Sequence, residues 1–65
     1  MLFRSVAILG LRELIKDKDS AVRIAAARGL ARYIDNRDAV WGLRELIKDS
    51  DPKVREAAAL ALGGK

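Results

Sequence analysis

An all-α fold of two stacked helical hairpins is what this 65-residue sequence predicts. Three observations carry that expectation. The octad Gly-Leu-Arg-Glu-Leu-Ile-Lys-Asp occurs at Gly10–Asp17 and again, unchanged, at Gly42–Asp49, 32 positions later. The same shift sets Ala7 on Ala39, Asp19 on Asp51, Val22 on Val54, Arg23 on Arg55, residues 25–27 on 57–59, and Leu30 on Leu62. Apolar residues recur every three or four positions, and no stretch alternates apolar with polar as a half-buried strand would. A period between about 20 and 50 residues marks a stacked repeat array, each copy one supersecondary unit. Residues 1–65 therefore read as one unit of two repeats, about 2–34 and about 35–65.

The elements follow in order. Ala7, Ile8, Leu11, Leu14 and Ile15 share one face of a first helix over about 2–16. Asp19-Ser20 puts an N-cap acceptor ahead of a second helix over about 20–34, which turns Val22, Ala25, Ala26, Gly29, Leu30 and Tyr33 inward. The polar connector Asp35-Asn36-Arg37-Asp38 supplies the cap of a third helix over about 37–48, from Asp35 or Asn36. That helix faces inward with Ala39, Val40, Leu43, Leu46 and Ile47. Asp51-Pro52 joins a cap to a proline at the first helical position, where its missing N–H costs nothing. It opens a fourth helix over about 52–62 carrying Val54, Ala57, Ala58, Ala61 and Leu62, and Gly63-Gly64 is the stop signal. Links this short make neighbouring helices antiparallel. Ala26 and Ala58 are expected where backbones approach closely.

Composition narrows the function. The chain has no cysteine and no histidine, which removes disulfides, thiolate metal sites, and the commonest metal ligand and general base. Serine occurs only at Ser5, Ser20 and Ser50, and no nucleophile–base pair suggests itself. The paired carboxylates Asp17/Asp19 and Asp49/Asp51 fall at helix junctions, where capping explains them. No catalytic residue, metal or cofactor is expected, and the chain reads as a non-enzyme. Thirteen bases and nine acids give a net charge of +4, and the two signs are interspersed as on an ordinary solvated surface. No apolar run approaches the roughly 18–20 residues of a membrane span, and Arg4 interrupts the apolar start. A cytoplasmic chain is expected. Gln and Thr are absent and Asn36 is the single asparagine, which suits a thermophile and equally a designed or consensus sequence.

The stretch from Asp51 to Gly63, with its pattern D-P-x-V-R-x-x-A-A-x-A-L-G, resembles the second helix of a HEAT-like repeat of the phycobilisome-lyase type. Asp38-Ala39-Val40 leading into Leu43, Leu46 and Ile47 resembles the first helix of that repeat, and designed consensus arrays use a similar unit. The first copy departs from the pattern, with Ser20 in place of the proline and Tyr33-Ile34 extending its second helix. The resemblance implies an α–α superhelix with second helices on the concave side, and binding rather than catalysis. It also implies that the acid and arginine of each motif link neighbouring units, which here are Asp19, Arg23, Asp51 and Arg55.

Several side chains lie outside the expected core. Leu2, Leu9 and Trp41 form a stripe on the first helices, either an interface anchor or a Trp41 ring folded over the Arg44 and Lys48 stems. Ile24 and Leu60 point away from the core beside Arg28 and Glu56, so a two-fold pairing of these faces would set Ile24 against Leu60 and Arg28 against Glu56. Half of the residues are apolar, more than four short helices bury internally, and both repeat ends are expected to lie uncovered. The leading expectation is a protein-interaction or self-assembly scaffold that forms a homo-oligomer, a dimer, in a closed two-fold arrangement rather than a head-to-tail stack that would run on into fibres. The alternative is a nucleic-acid-binding repeat using Arg23, Arg28, Arg32 and Lys53.

Overall fold

The computed structural model describes residues 2–63, with side chains from Phe3 onward. Gly64, half of the expected stop signal, lies outside the described residues. Among the described residues there are four helices and no strand: α1 (Leu2–Leu14), α2 (Ser20–Ala31), α3 (Arg37–Leu46) and α4 (Pro52–Gly63).

Local chemistry sets the starts of α2, α3 and α4. The Asp19 carboxylate accepts the Ala21 N–H at 2.9 Å. Asn36, rather than Asp35, caps α3, accepting from the N–H groups of Asp38 at 2.8 Å and Ala39 at 3.3 Å. Asp51 accepts the Lys53 N–H at 2.8 Å, with Pro52 in the first helical position. Each cap satisfies backbone donors that a helix leaves orphaned at its N-terminus.

The first three helices end sooner than their apolar periodicity does. Past Leu14 the chain tightens to three-residue spacing, with Lys16 N–H donating to Glu13 O and Asp17 N–H to Leu14 O. Past Ala31 the Arg32 and Tyr33 N–H groups reach back to Gly29 O and Leu30 O, and past Leu46 the Lys48 and Asp49 N–H groups do likewise to Glu45 O and Leu46 O. Ile15, Tyr33 and Ile34 still pack on the core from these tightened turns. Apolar rhythm therefore outlasts the helical hydrogen bonding.

The core comprises Ile8, Ile15, Ala26, Ala27, Leu30, Ala39, Leu43, Leu46, Val54 and Ala58, all buried. Ala26 and Ala58 have no exposed surface, as close helix approach demands. α2 packs against α1, α3 and α4, and α4 also packs on α3, so the second helix of the first hairpin is the centre of the molecule.

Residues that the repeat makes equivalent are not equally buried. Leu46 is 2% exposed and Leu14 is 38% exposed; Ile15 is 7% exposed and Ile47 is 40% exposed. Leu14 and Ile47 are thus not core residues, although their spacing places them on the inward faces. Each is left part-exposed where its counterpart in the other repeat is buried. Position within the stack, which periodicity does not encode, decides burial.

Glycine reports the same asymmetry. A Cβ built on Gly42 would lie 2.9 Å from Leu30 Cδ1, a contact tighter than real Cβ atoms show, whereas one on Gly10 meets nothing within 4 Å. Gly10→Ala should therefore stabilise the fold by roughly 0.5–1 kcal/mol, the gain of replacing an exposed helix glycine. Gly42→Ala should gain nothing or lose stability, because Leu30 must move. Melting both variants at one dilute concentration checks the pair, and equal shifts would contradict the packing at Gly42.

Candidate protein-interaction site

Where two helical hairpins stack, polar contacts between them fix their relative placement. Here that contact is an arginine fork. Arg23 Nε donates to Asp49 Oδ2 at 2.7 Å and Nη2 to Asp49 Oδ1 at 3.1 Å, with side chains only 14% and 10% exposed. Arg23 Nη1 also donates to Asp17 O at 2.7 Å, so the guanidinium is held at the end of α1 and points at the second hairpin. Two parallel charge-assisted bonds give both energy and direction. The Arg23 hydrogen bonds hold the Asp49 carboxyl below its ordinary value of 3.8, helped by the Asp51 N–H and opposed by desolvation.

The acid that takes the fork differs from the two that the resemblance implies, although Asp51 also reaches the first hairpin through a hydrogen bond from the Ser20 side chain. Asp19 and Asp51 do not receive Arg23; each caps its own helix, and the Lys53 N–H is the main reason that the Asp51 carboxyl is also lowered. The linking acid is Asp49, two residues earlier, in the last place of the repeated octad. Arg55, the counterpart of Arg23, donates its Nη1 to the backbone oxygens of Asp49 at 2.7 Å and Ser50 at 3.1 Å, and is exposed.

A groove of about 520 Å³ runs between α2 and α4. It brings together Ile24, Arg28, Glu56 and Leu60, with Lys53 and Ala57 beside them. Leu60 is 67% exposed. Ile24 does not point into open water: it is half-buried and packs on the edge of the core, because α2 is flanked by α1 and α4. The groove thus has an apolar wall at Ile24 and Ala57, a protruding Leu60, and charges of both signs at its rim.

A second depression of about 560 Å³ lies along α1 and α3 and is lined by Leu9, Val6, Arg12 and Trp41. Leu9 and Trp41 are 56% and 43% exposed; Leu2 belongs to α1, but its side chain is outside the described residues. The cation that stacks on the Trp41 ring comes from α1. Arg12 lies over the ring, its guanidinium carbon 4.6 Å from the ring centroid, and also approaches Asp38 at 3.6 Å. Arg12 reaches across from α1 at the junction of the hairpins, so the ring of Trp41 helps to hold the stack.

Of the basic residues expected to form a nucleic-acid face, Arg28, Arg32 and Lys53 are exposed, and Arg23 is withdrawn into its pair with Asp49. Among the described residues, no group of three or more His, Cys, Asp or Glu is placed to hold a metal ion, and no helix is long and apolar enough to cross a membrane.

No curated protein and no solved structure gives a match. The family described as HEAT repeats matches residues 8–64, which takes in all of α2, α3 and α4 and most of α1. Four helices paired through a 32-residue repeat and joined by a part-buried arginine fork agree with that match: the chain belongs to the HEAT repeat family.

Proposed function

We propose that this chain is a non-enzymatic protein-interaction module whose α2–α4 groove takes an apolar helical segment with an acidic flank, and that copies of the chain also associate with one another. HEAT repeats in general serve as protein-interaction scaffolds. The observation that carries the reading here is the convergence of Ile24, Leu60, Arg28 and Glu56 on one groove. Amphipathic helices dock into grooves of this kind through spaced apolar anchors. Arg28 and Lys53 outnumber Glu56 at the rim, which favours an acidic flank. A cytosolic setting and a place among repeats of the phycobilisome-lyase type belong to the same reading, the latter supported by the D-P-x-V-R pattern at residues 51–55.

The test uses two labelled leucine-rich helical peptides, one flanked by glutamate and one by lysine, with a DNA duplex as a third probe. Binding of the glutamate peptide, weakened at least tenfold by Leu60→Glu, is the expected result. Leu60 is exposed, so that variant keeps the fold. Tight duplex binding that falls steeply with salt, without peptide binding, would overturn the reading in favour of nucleic acid.

A further inference from the structure

We propose that copies of this chain stack head to tail, the Arg55 face of one against the Asp17 face of the next, repeating between molecules the joint that already connects the two hairpins. The inference rests on the self-association in the reading above and names its geometry.

The internal joint has two defining contacts. Arg23 forks onto Asp49, and the Leu30 side chain seats against the bare backbone of Gly42. Moving forward by one repeat turns Arg23 and Leu30 into Arg55 and Leu62, on the outer side of the second hairpin. Moving back by one repeat turns Asp49 and Gly42 into Asp17 and Gly10, on the outer side of the first. One end of the molecule therefore carries the donor half of the joint and the other end carries the acceptor half.

Both halves are preset. Arg55 Nη1 holds the Asp49 carbonyl at 2.7 Å, as Arg23 Nη1 holds the Asp17 carbonyl at 2.7 Å, which orients the two guanidinium groups alike. Asp17 accepts the Asp19 N–H at 2.8 Å, as Asp49 accepts the Asp51 N–H at 2.9 Å. Among the described residues neither Arg55 nor Asp17 has an ion-pair partner. The site over Gly10 is empty to 4 Å, where Gly42 meets Leu30.

The apolar surface matches as well. Ala27 is fully buried and its counterpart Ala59 is exposed; Ile15 and Ile47, and Leu46 and Leu14, differ in the same sense. Ile47 and Ala59 lie at the donor end and Leu14 at the acceptor end. These are the residue types of the internal joint in the same helical positions, so complementary shape follows from the repeat itself. A two-fold pairing of either end would instead place two Arg55 side chains, or two Asp17, on one interface.

The outer joint is the weaker of the two. Arg12 has the Trp41 ring and Asp38 to engage, whereas its counterpart Arg44 would meet Leu9 and Val6 of the next copy. Stacks should therefore come apart on dilution while the internal joint persists. A heterologous contact that does not close continues, so mass should grow past a dimer as concentration rises.

Two end-blocked variants test this. Gly10→Lys fills the acceptor face and repels the incoming Arg44, at an exposed position with room for a side chain. Arg55→Glu reverses the donor charge, with Ala59→Glu as a second donor-face variant that leaves the carbonyl bonds of Arg55 intact. Circular dichroism establishes that each is folded, and sedimentation equilibrium from low to high micromolar concentration gives the mass. The expected result is a parent whose mass climbs beyond two copies, variants that are each monomeric alone, and an equimolar mixture of one donor-face and one acceptor-face variant that stops at a dimer. If the parent assembles and either folded variant alone assembles equally well, head-to-tail stacking is overturned while self-association stands. A parent that stays monomeric throughout overturns both.

Discussion

Leu30→Ala should leave the chain largely unfolded at room temperature, while Leu62→Ala, the same substitution one repeat later, should be nearly silent in dilute solution. Leu30 has no exposed surface and lies where α2 meets both α1 and the second hairpin, with its methyl against Gly42. Truncating a buried leucine costs roughly 2–5 kcal/mol, because the transfer energy is lost and the cavity closes only in part. A chain near this size draws only about 3–5 kcal/mol from its whole core. One such substitution is therefore comparable with the entire margin of stability. Leu62 is half-buried at the edge of the cluster, with no described residue packed beyond it in the position that Gly42 takes against Leu30. Urea titrations followed by circular dichroism, at one low protein concentration, give the comparison directly. Equal losses for the two variants would mean that the hairpins do not bury Leu30 as described. At concentrations where copies stack, Leu62→Ala should become costly, since Leu62 would then sit on Gly10 of the next molecule.

How far such features are legible depends on the range over which they are encoded. Asp19, Asn36 and Asp51 are readable as helix starts because a cap is local: a short polar side chain satisfies N–H groups two or three residues ahead. Ile15, Tyr33 and Ile34 mislead about helix ends because side-chain burial continues through turns that no longer have regular helical hydrogen bonds. The pairing of Arg23 with Asp49 spans 26 residues and depends on how one hairpin tilts over the other, which no local rule supplies. One sequence signal did point to Asp49: Asp-x-Asp closes the first half of both repeats, and only the second aspartate is needed as a cap. Ile24, Arg28, Glu56 and Leu60 could be grouped by helical face, but the half-burial of Ile24 follows from the helices flanking α2, not from α2 itself.

Asp49→Asn should destabilise the protein far more than Asp17→Asn, and should flatten its response to acid. Asparagine keeps the size of the side chain and an oxygen to accept the Asp51 N–H, so the substitution removes chiefly the charge that Arg23 engages. Arg23 then keeps the Asp17 carbonyl and the amide oxygen as acceptors, but its Nε faces an amide NH2 that cannot accept and its charge has no partner in a mostly buried place. At Asp17 the carboxylate has no arginine, and the same change removes nothing of that kind. The pH dependence has a definite sign. Hydrogen bonds from Arg23 lower the Asp49 carboxyl in the folded state below its ordinary 3.8, so the folded chain binds fewer protons there than the unfolded chain does. The stabilisation is therefore fully present above the ordinary carboxylate value and fades as pH falls through that value and the lower folded one. Asp51, lowered mainly by the Lys53 N–H, and Asp35, lowered mainly by its hydrogen bond from Arg4, contribute in the same direction, so the Asp49→Asn chain should keep a shallower acid dependence rather than none. Because the Arg23–Asp49 pair is partly buried, added salt should weaken it less than it weakens the exposed Arg4–Asp35 pair. Melting temperatures of the parent and the two asparagine variants, measured from about pH 7 down to about pH 2, span the window in which the carboxylates titrate and decide the matter. Parallel curves for the parent and Asp49→Asn would show that Arg23 draws no stability from the charge on Asp49.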